Sequence, residues 1–246
     1  MTPAPSTDVL VVGGGPAGAS TAIGLARAGH RVTLLERRTG RSPFTRGDLL
    51  DPRAVRELER LGLDGDEVTA HRLQGLRMWH GGRSVDVRWP NGSGEPAAGC
   101  ALRRSELNTL LLDAARDAGV DVRVGREAVA PIVERGFVRG AQVADADSAD
   151  RPIADRVTTD VHSRFMVIAD GANSRFGRGL GTTRDRNWPY AVSASSHFES
   201  GNADGDWADA VLGIPDRNGN PIAGHGWVTP LGDGTVNAGV TMLSSY

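Results

Sequence analysis

Three glycines, Gly13, Gly15 and Gly18, stand in the spacing G-x-G-x-x-G within "DVLVVGGGPAGAS". Each has a separate duty: the first makes a tight turn, the second lets a phosphate approach the backbone, and the third allows close helix-to-strand packing. The spacing alone fits an ordinary strand-to-helix turn equally well in a chain with 33 glycines. A carboxylate, Glu36, follows at the distance where such a site meets a ribose hydroxyl. Together they point to a dinucleotide, with Gly13, Gly14, Gly15, Ala17 and Gly18 around its pyrophosphate. Glu36 disfavours a 2′-phosphate because two anions would meet there, and Arg37 and Arg38 beside it read either as part of that site or as solvated surface. The ADP half common to NAD and FAD leaves the choice between them open.

These residues need a scaffold, and the flanking pattern predicts one. Val9–Val12 is a continuous β-branched and Leu run, as expected of a strand buried on both faces. Pro16 opens a helical pattern with Ala19, Ala22, Ile23 and Ala26 on one face and Gly29 past its end. Residues 31–35 then supply a second strand, completing a βαβ unit. "LDPRAVRELERLG" predicts a helix capped by Asp51, begun by Pro52 and ended by Gly62. Residues 72–90 alternate around "HGGR" and predict an antiparallel hairpin. A helix over 105–118, with Leu107, Leu110, Leu111, Ala114 and Ala118 inward, leads to the short strand "VDVRV". Residues 145–156 read as a loop, and "FMVIAD" as an apolar strand ending at Asp170. Beyond Gly181 the runs "YAVSASSHFES", "DAVLGIP", "GWVTP" and "TVNAGVTM" predict an antiparallel second sheet.

Composition excludes several functions. Of 246 residues, 28 are Lys or Arg and 30 Asp or Glu, and the net charge of −2 offers no field for nucleic acid. The single cysteine, Cys100, rules out an internal disulfide framework and reads as a small core filler. The six histidines show no metal-ligand spacing, so no metal site is expected, and each reads as surface or satisfied core. No apolar run is long enough to span a bilayer and no signal sequence is evident, so the expected location is cytoplasmic.

Five segments carry a wider resemblance: "DVLVVGGGPAGASTAIGLARAGHRVTLLER", "GDLLDPRAVRELERLGL", "LRRSELNTLLLDAARDAGV", "FMVIADGANSRFGRGLG" and "GHGWVTPLGDGTVNAGV". Through them the chain resembles flavoproteins of the p-hydroxybenzoate hydroxylase-like fold, and among these the geranylgeranyl reductase family. The resemblance implies FAD as cofactor. It implies that Arg104 reaches the ribityl and phosphate region, although Arg103 competes for that place. Ala128 would meet the adenine half through its backbone, and Asp170 and Gly171 would form the "DG" element. The alternative for Asp170 is an ordinary N-cap at a strand-to-helix turn. "TRGDLLDPRA" corresponds to a loop over the isoalloxazine where Cys-Gly-Asp-Gly is usual. Gly47 and Asp48 match it, while Arg46 stands for Cys and Leu49 for the second Gly. "AGHGWVTP" corresponds to a substrate wall in which Trp227 and Pro230 match, His225 replaces Tyr and Thr229 replaces Phe, making the wall more polar.

The expected fold is therefore α/β: a Rossmann-type FAD-binding domain with a parallel sheet, interleaved with a mainly antiparallel β substrate domain. The expected domains are residues 1–70 with 101–183 for FAD and residues 71–100 with 184–246 for substrate. Relatives carry a third flavin element after the point where this chain stops, so the resemblance implies an N-terminal portion with weak FAD retention. The implied activity is reduction of C=C bonds in an isoprenoid, lipid-like substrate, with NAD(P)H as electron donor and peripheral membrane contact compatible with such a substrate. No side chain is singled out as an acid or base. A flavin monooxygenase or halogenase on an aromatic substrate, and a non-catalytic nucleotide-binding fragment, are the alternatives.

Overall fold

The computed structural model describes residues 7–40, 48–64, 68, 71–90, 98–183, 185 and 188–244. The chain folds as two compact units, Met1–Ser42 with Asn108–Arg184 and Pro43–Leu107 with Asp185–Tyr246.

In the first unit β1 (Thr7–Val12) is followed by α1 (Pro16–Arg27) and β2 (Val32–Glu36), the expected βαβ unit. Leu10, Val11 and Leu34 have no exposed surface, which explains why these strands lack an alternating pattern. β8 (Asp121–Val124) pairs parallel to β2, and β11 (Thr158–Ile168) pairs parallel to β1 on its other side. The sheet then turns antiparallel through β10 (Phe137–Asp145) and β9 (Arg126–Glu134), giving the order β8-β2-β1-β11-β10-β9. The β9–β10 hairpin is absent from the sequence reading. Its turn is Arg135–Gly136, both at positive φ, and only Gly136 announces that turn in the sequence. Leu10, Val12, Leu35, Ala128, Val143, Val161 and Phe176 pack together as this unit's core. The expected loop at 145–156 contains two single 3₁₀ turns, Ala146–Ser148 and Ile153–Asp155. Buried Arg156 anchors them by donating to Ser148 Oγ, the Asp145 carbonyl and the Glu127 carboxylate.

In the second unit β3 (Leu49–Leu50), β4 (His71–Leu73) and β7 (Gly99–Ala101) form a small antiparallel sheet. Helix α2 (Pro52–Arg60) is capped as expected, Asp51 accepting the Ala54 N–H at 2.7 Å. The large sheet has the order β12-β15-β14-β13-β5-β6, built from β5 (Gly75–His80), β6 (Arg83–Arg88), β12 (Ala191–Glu199), β13 (Trp207–Leu212), β14 (Gly224–Pro230) and β15 (Thr235–Leu243). The β5–β6 hairpin forms as predicted. The sheet departs from the antiparallel expectation at one junction, where β13 lies parallel to β5. Those strands lie far apart in the chain, so no hairpin turn dictates their sense.

α3 (Arg104–Asp117) begins in the second unit and continues in the first. Its buried stripe is Leu107, Leu111 and Ala115, a strict i, i+4, i+8 row, so Ala115 and not the expected Ala114 or Ala118 lies innermost. Helix α4 (Arg175–Gly179) follows β11 with Ser174 as its N-cap. Among the described residues no helix is long and apolar enough to cross a membrane.

Candidate functional site

The glycine junction of the first unit is built almost entirely from backbone. Gly13 has φ +107°, and a Cβ there would stand 2.4 Å from the Ala169 carbonyl oxygen and 2.9 Å from the Asp170 Cα. β1 and β11 run side by side to Val12 and Ile168, and the Ala169 N–H donates to the Val12 carbonyl at 2.8 Å. That register brings "GGGPAG" and "ADG" together at the C-terminal ends of parallel strands, where ligands of such sheets collect. Gly18 is enclosed as well: a Cβ would lie 1.9 Å from the Gly13 carbonyl oxygen. Gly14 packs against the Glu36 side chain, whose Oε2 accepts the Gly14 N–H at 2.7 Å while Oε1 accepts the Arg38 N–H at 2.8 Å.

Gly15 differs from these three. It is the N-cap of α1, with φ −73° and no side-chain cap, and a Cβ on it would meet nothing within 4 Å. Packing therefore does not require this glycine, whereas a ligand approaching the first helical N–H groups would. Ala17 lies exposed in the first turn of α1.

The other first-unit candidates are Asp170, Gly171, Ala128 and Arg37. Asp170 Oδ2 accepts the Phe176 N–H at 3.4 Å, and Asp170 Oδ1 is buried without a hydrogen-bond partner. Gly171, at φ +96°, is exposed and in open space. Ala128 is buried in β9, an edge strand of its sheet. Arg37 is half exposed and stands 3.9 Å from Glu127, whose other oxygen pairs with Arg156 at 2.8 Å.

The second unit holds the remaining candidates, and its polar centre is Asp48, 2% exposed. Asp48 Oδ1 accepts the backbone N–H of Arg104 at 2.8 Å, at the start of α3. Asp48 Oδ2 meets Asn237 Nδ2 at 2.9 Å and His197 Nε2 at 2.6 Å. Asn237 has no exposed surface, and its Oδ1 accepts the indole N–H of Trp227 at 2.7 Å. Because indole nitrogen only donates, this contact fixes the amide orientation and turns Nδ2 toward the carboxylate. Trp227 is accommodated by Gly239 on β15, where a Cβ would lie 2.3 Å from the ring.

Arg103 pairs with Asp233 at 2.6 Å and donates to Thr235 Oγ1 at 2.7 Å, which ties its guanidinium to the β14–β15 turn. Burial pushes the Asp233 carboxyl up, but hydrogen bonds from Thr235 and Arg103 outweigh this and hold it below the usual carboxylate range. His225, Trp227 and Thr229 alternate along one face of β14, and exposure falls from His225 through Trp227 to Thr229, which is buried at 2%. The His225 ring packs tilted against Trp227 at 6.2 Å between centroids. Gly47 and Arg46 lie outside the described residues. Cys100 is a core filler as expected: burial pushes its thiol up to about 11, far from thiolate chemistry.

His197 and Asn237 escaped sequence reading. Their partner Asp48 lies 149 and 189 positions away, so no spacing marks them.

The family model described as "FAD binding domain" matches residues 6–236. Menaquinone reductase of Mycobacterium tuberculosis is 37% identical over 243 residues, covering 98% of this chain and 56% of that protein. Digeranylgeranylglycerophospholipid reductase of Methanosphaerula palustris is 29% identical, covering 95% of this chain and 55% of that protein. A solved structure from Thermoplasma acidophilum, described as geranylgeranyl bacteriochlorophyll reductase-like, superposes with a TM-score of 0.78 at 28% identity, covering 96% of this chain and 56% of that one. The chain thus spans little more than half the length of these relatives. With the glycine junction, the Glu36 carboxylate and the "ADG" turn in place, and a match across almost the whole sequence, the chain belongs to the FAD-binding domain family.

Proposed function

We propose that the chain is the FAD-holding part of an oxidoreductase that saturates carbon–carbon double bonds in the isoprenoid chain of a lipid. Two local observations suit the cofactor: the open space over Gly15 at the uncapped start of α1, and the buried, unpartnered Oδ1 of Asp170. In this reading Gly13, Gly14, Gly15, Ala17 and Gly18 hold the pyrophosphate by backbone N–H groups, and Glu36 takes the ribose hydroxyls, with Arg37 beside it. Ala128 meets the adenine half. Asp170 accepts a hydroxyl from the ribityl side, Gly171 lets the backbone come close, and Asp48 and Gly47 belong to the ring-side loop. Arg104 is taken as the arginine that reaches the ribityl and phosphate region, as the family resemblance implies. Residues 1–70 with 101–183 serve FAD, and 71–100 with 184–246 serve substrate.

When bound, FAD supplies hydride transfer. The protein binds, orients and excludes water. The observation that carries the substrate class is chemical: menaquinone and a digeranylgeranyl lipid, named for two relatives, share an isoprenoid chain and little else. Trp227 with the flanking wall residues His225 and Thr229 then faces that chain. NAD(P)H is the proposed donor, and contact with a membrane surface is how so apolar a substrate arrives.

The test is anaerobic incubation of the FAD-loaded holoenzyme with NADPH or NADH and a digeranylgeranyl phospholipid, read by mass spectrometry. A gain of two hydrogens per saturated bond is expected. NAD(P)H oxidation that requires oxygen and is accelerated by a phenol, without saturated product, overturns the reading in favour of a monooxygenase.

A further inference from the structure

One cavity lies wholly within the second unit and uses none of the groups assigned above. It measures about 340 Å³ and is lined by Trp79, Asp209, Val211, Leu212 and Val228, with the turn at residues 80–82. Strand register builds its floor. Val211 pairs with Trp79 across β13 and β5, and Asp209 pairs with Val228 across β13 and β14. Since side chains alternate along strands, Trp79, Asp209, Val211 and Val228 share one face of the large sheet, opposite the face of His225, Trp227 and Thr229.

Glycines leave room for it. Gly81 and Gly82 take positive φ in the two-residue turn of the β5–β6 hairpin, and a Cβ on either would meet nothing within 4 Å. Gly213 lets the His80 ring lie against bare backbone, since a Cβ there would stand 2.6 Å from its Cε1. The remaining walls are apolar and hold one fixed charge. The Trp79 indole N–H donates to Asp209 Oδ1 at 2.8 Å, so this half-buried carboxylate is oriented by a donor that carries no charge.

Among the described residues Asp209 enters no ion pair, and its other oxygen accepts no hydrogen bond. The nearby cations are engaged elsewhere. Arg77, the β5 neighbour of Asp209, meets Asp86 through two contacts at 2.7 and 3.0 Å, and its guanidinium lies 5.7 Å from the Trp207 ring centroid. Arg88 lies 5.5 Å from the same centroid and donates to Gln74, which in turn bonds Asp206. A carboxylate set among apolar side chains repels an anion and leaves its charge unanswered by a neutral ligand. An ammonium group answers it by charge and hydrogen bond together.

We propose that this cavity binds a small organic ammonium ion with an apolar body. The ammonium N–H groups donate to Asp209, and the body lies against Trp79, Val211 and Val228. Indole is also the aromatic side chain that holds a cation best. The volume is at the small end of ligand pockets, which suits a single ring or a short chain. The assignment is independent of the reductase reading, since it needs neither flavin nor turnover. The same cation occurs free in solution and on lipid headgroups, two sources that one experiment separates.

The experiment follows the Trp79 indole N–H by NMR of the full chain, its signal identified by the peak lost in Trp79→Phe. Benzylammonium should shift that signal saturably, with a Kd on the order of 1 mM for so small a ligand. Benzyl alcohol, its neutral counterpart, should bind about ten-fold more weakly, and benzoate should leave the signal unmoved. Asp209→Asn keeps an acceptor for the indole and removes the charge. Its affinity for benzylammonium should fall about ten-fold while the other indole signals stay in place, which shows that the fold is kept. Phosphatidylglycerol vesicles with and without phosphatidylethanolamine form the second arm. A response to the phosphatidylethanolamine vesicles alone assigns a lipid headgroup, a response to benzylammonium alone assigns a free ligand, and both support the site. Equal affinity for benzylammonium and benzyl alcohol, undiminished binding by Asp209→Asn, or no response of Trp79 to either cation source overturns it.

Discussion

The glycine junction of the first unit and the Asp48 cluster of the second are both polar sites, yet they are made in opposite ways. At the junction the contacts run mainly through backbone N–H and carbonyl atoms, and the side chains matter mainly by being absent. Gly13 and Gly18 are glycine because a Cβ would strike backbone 2.4 and 1.9 Å away. Around Asp48 the site is side chain throughout, with His197, Asn237 and Trp227 on three neighbouring strands and the Arg104 N–H completing the set. The first kind of site writes itself into a short run of sequence. The second exists only once distant strands are in register, and each member depends on the others being satisfied.

That contrast can be broken experimentally. The largest effect is expected from Gly18→Ala: backbone cannot yield to a contact at 1.9 Å, so the first unit should lose more than about 3 kcal/mol, the upper end of overpacking costs. Urea unfolding measures this, and a loss below about 1 kcal/mol would mean the junction relaxes freely.

Asp48→Asn should follow, at about 2 kcal/mol, because an amide cannot accept from the Arg104 N–H, Asn237 and His197 together and leaves a buried donor unmet. Its check is thermal unfolding. Unchanged stability there would show that the cluster is not cooperative.

Gly15→Ala sharpens the comparison within the junction itself. Its Cβ meets no protein atom and its φ is ordinary, so stability should change by less than about 0.5 kcal/mol. FAD affinity should nevertheless fall about ten-fold, near 1.4 kcal/mol, because the methyl group occupies the phosphate's approach. Fluorescence titration with FAD tests it, and undiminished affinity would remove Gly15 from the site.

The smallest effect concerns pH. The Asp233 carboxyl is held below its ordinary value of 3.8, so its contribution is present above that pH and lost as pH falls through the lower folded-state value. As a partly exposed ion pair with Arg103 it contributes less than about 1 kcal/mol. The acid limb of a Tm–pH curve between pH 2 and 5 should therefore be slightly shallower in Asp233→Asn, and an identical limb would discount the pair.

Much of the fold was legible because its signals are short-range. The βαβ unit follows from an apolar run, a proline at a helix start and glycines at helix ends, and each hairpin of the second sheet from alternation and a turn. The β9–β10 hairpin was not, since Glu134-Arg135-Gly136-Phe137 carries a single glycine and Arg135 adopts positive φ only within the pairing. The parallel contact of β5 with β13 was not legible either, because it joins strands separated by about half of the chain. For the arginine pair at the start of α3, sequence offered two candidates, and only tertiary structure shows that Arg103 is tied to Asp233 and Thr235.

By itself, the sequence determined the Cβ-free strand-to-helix junction at the start of α1, since that depends on glycines within a few residues of one another. It also determined the alternation that makes the second sheet, because strand periodicity is local. Tertiary structure alone decided that Asp48, His197, Asn237 and Trp227 form one hydrogen-bonded chain. Four polar side chains scattered along the sequence have no mutual energy until strand register brings them within 3 Å and removes the water that would otherwise satisfy them.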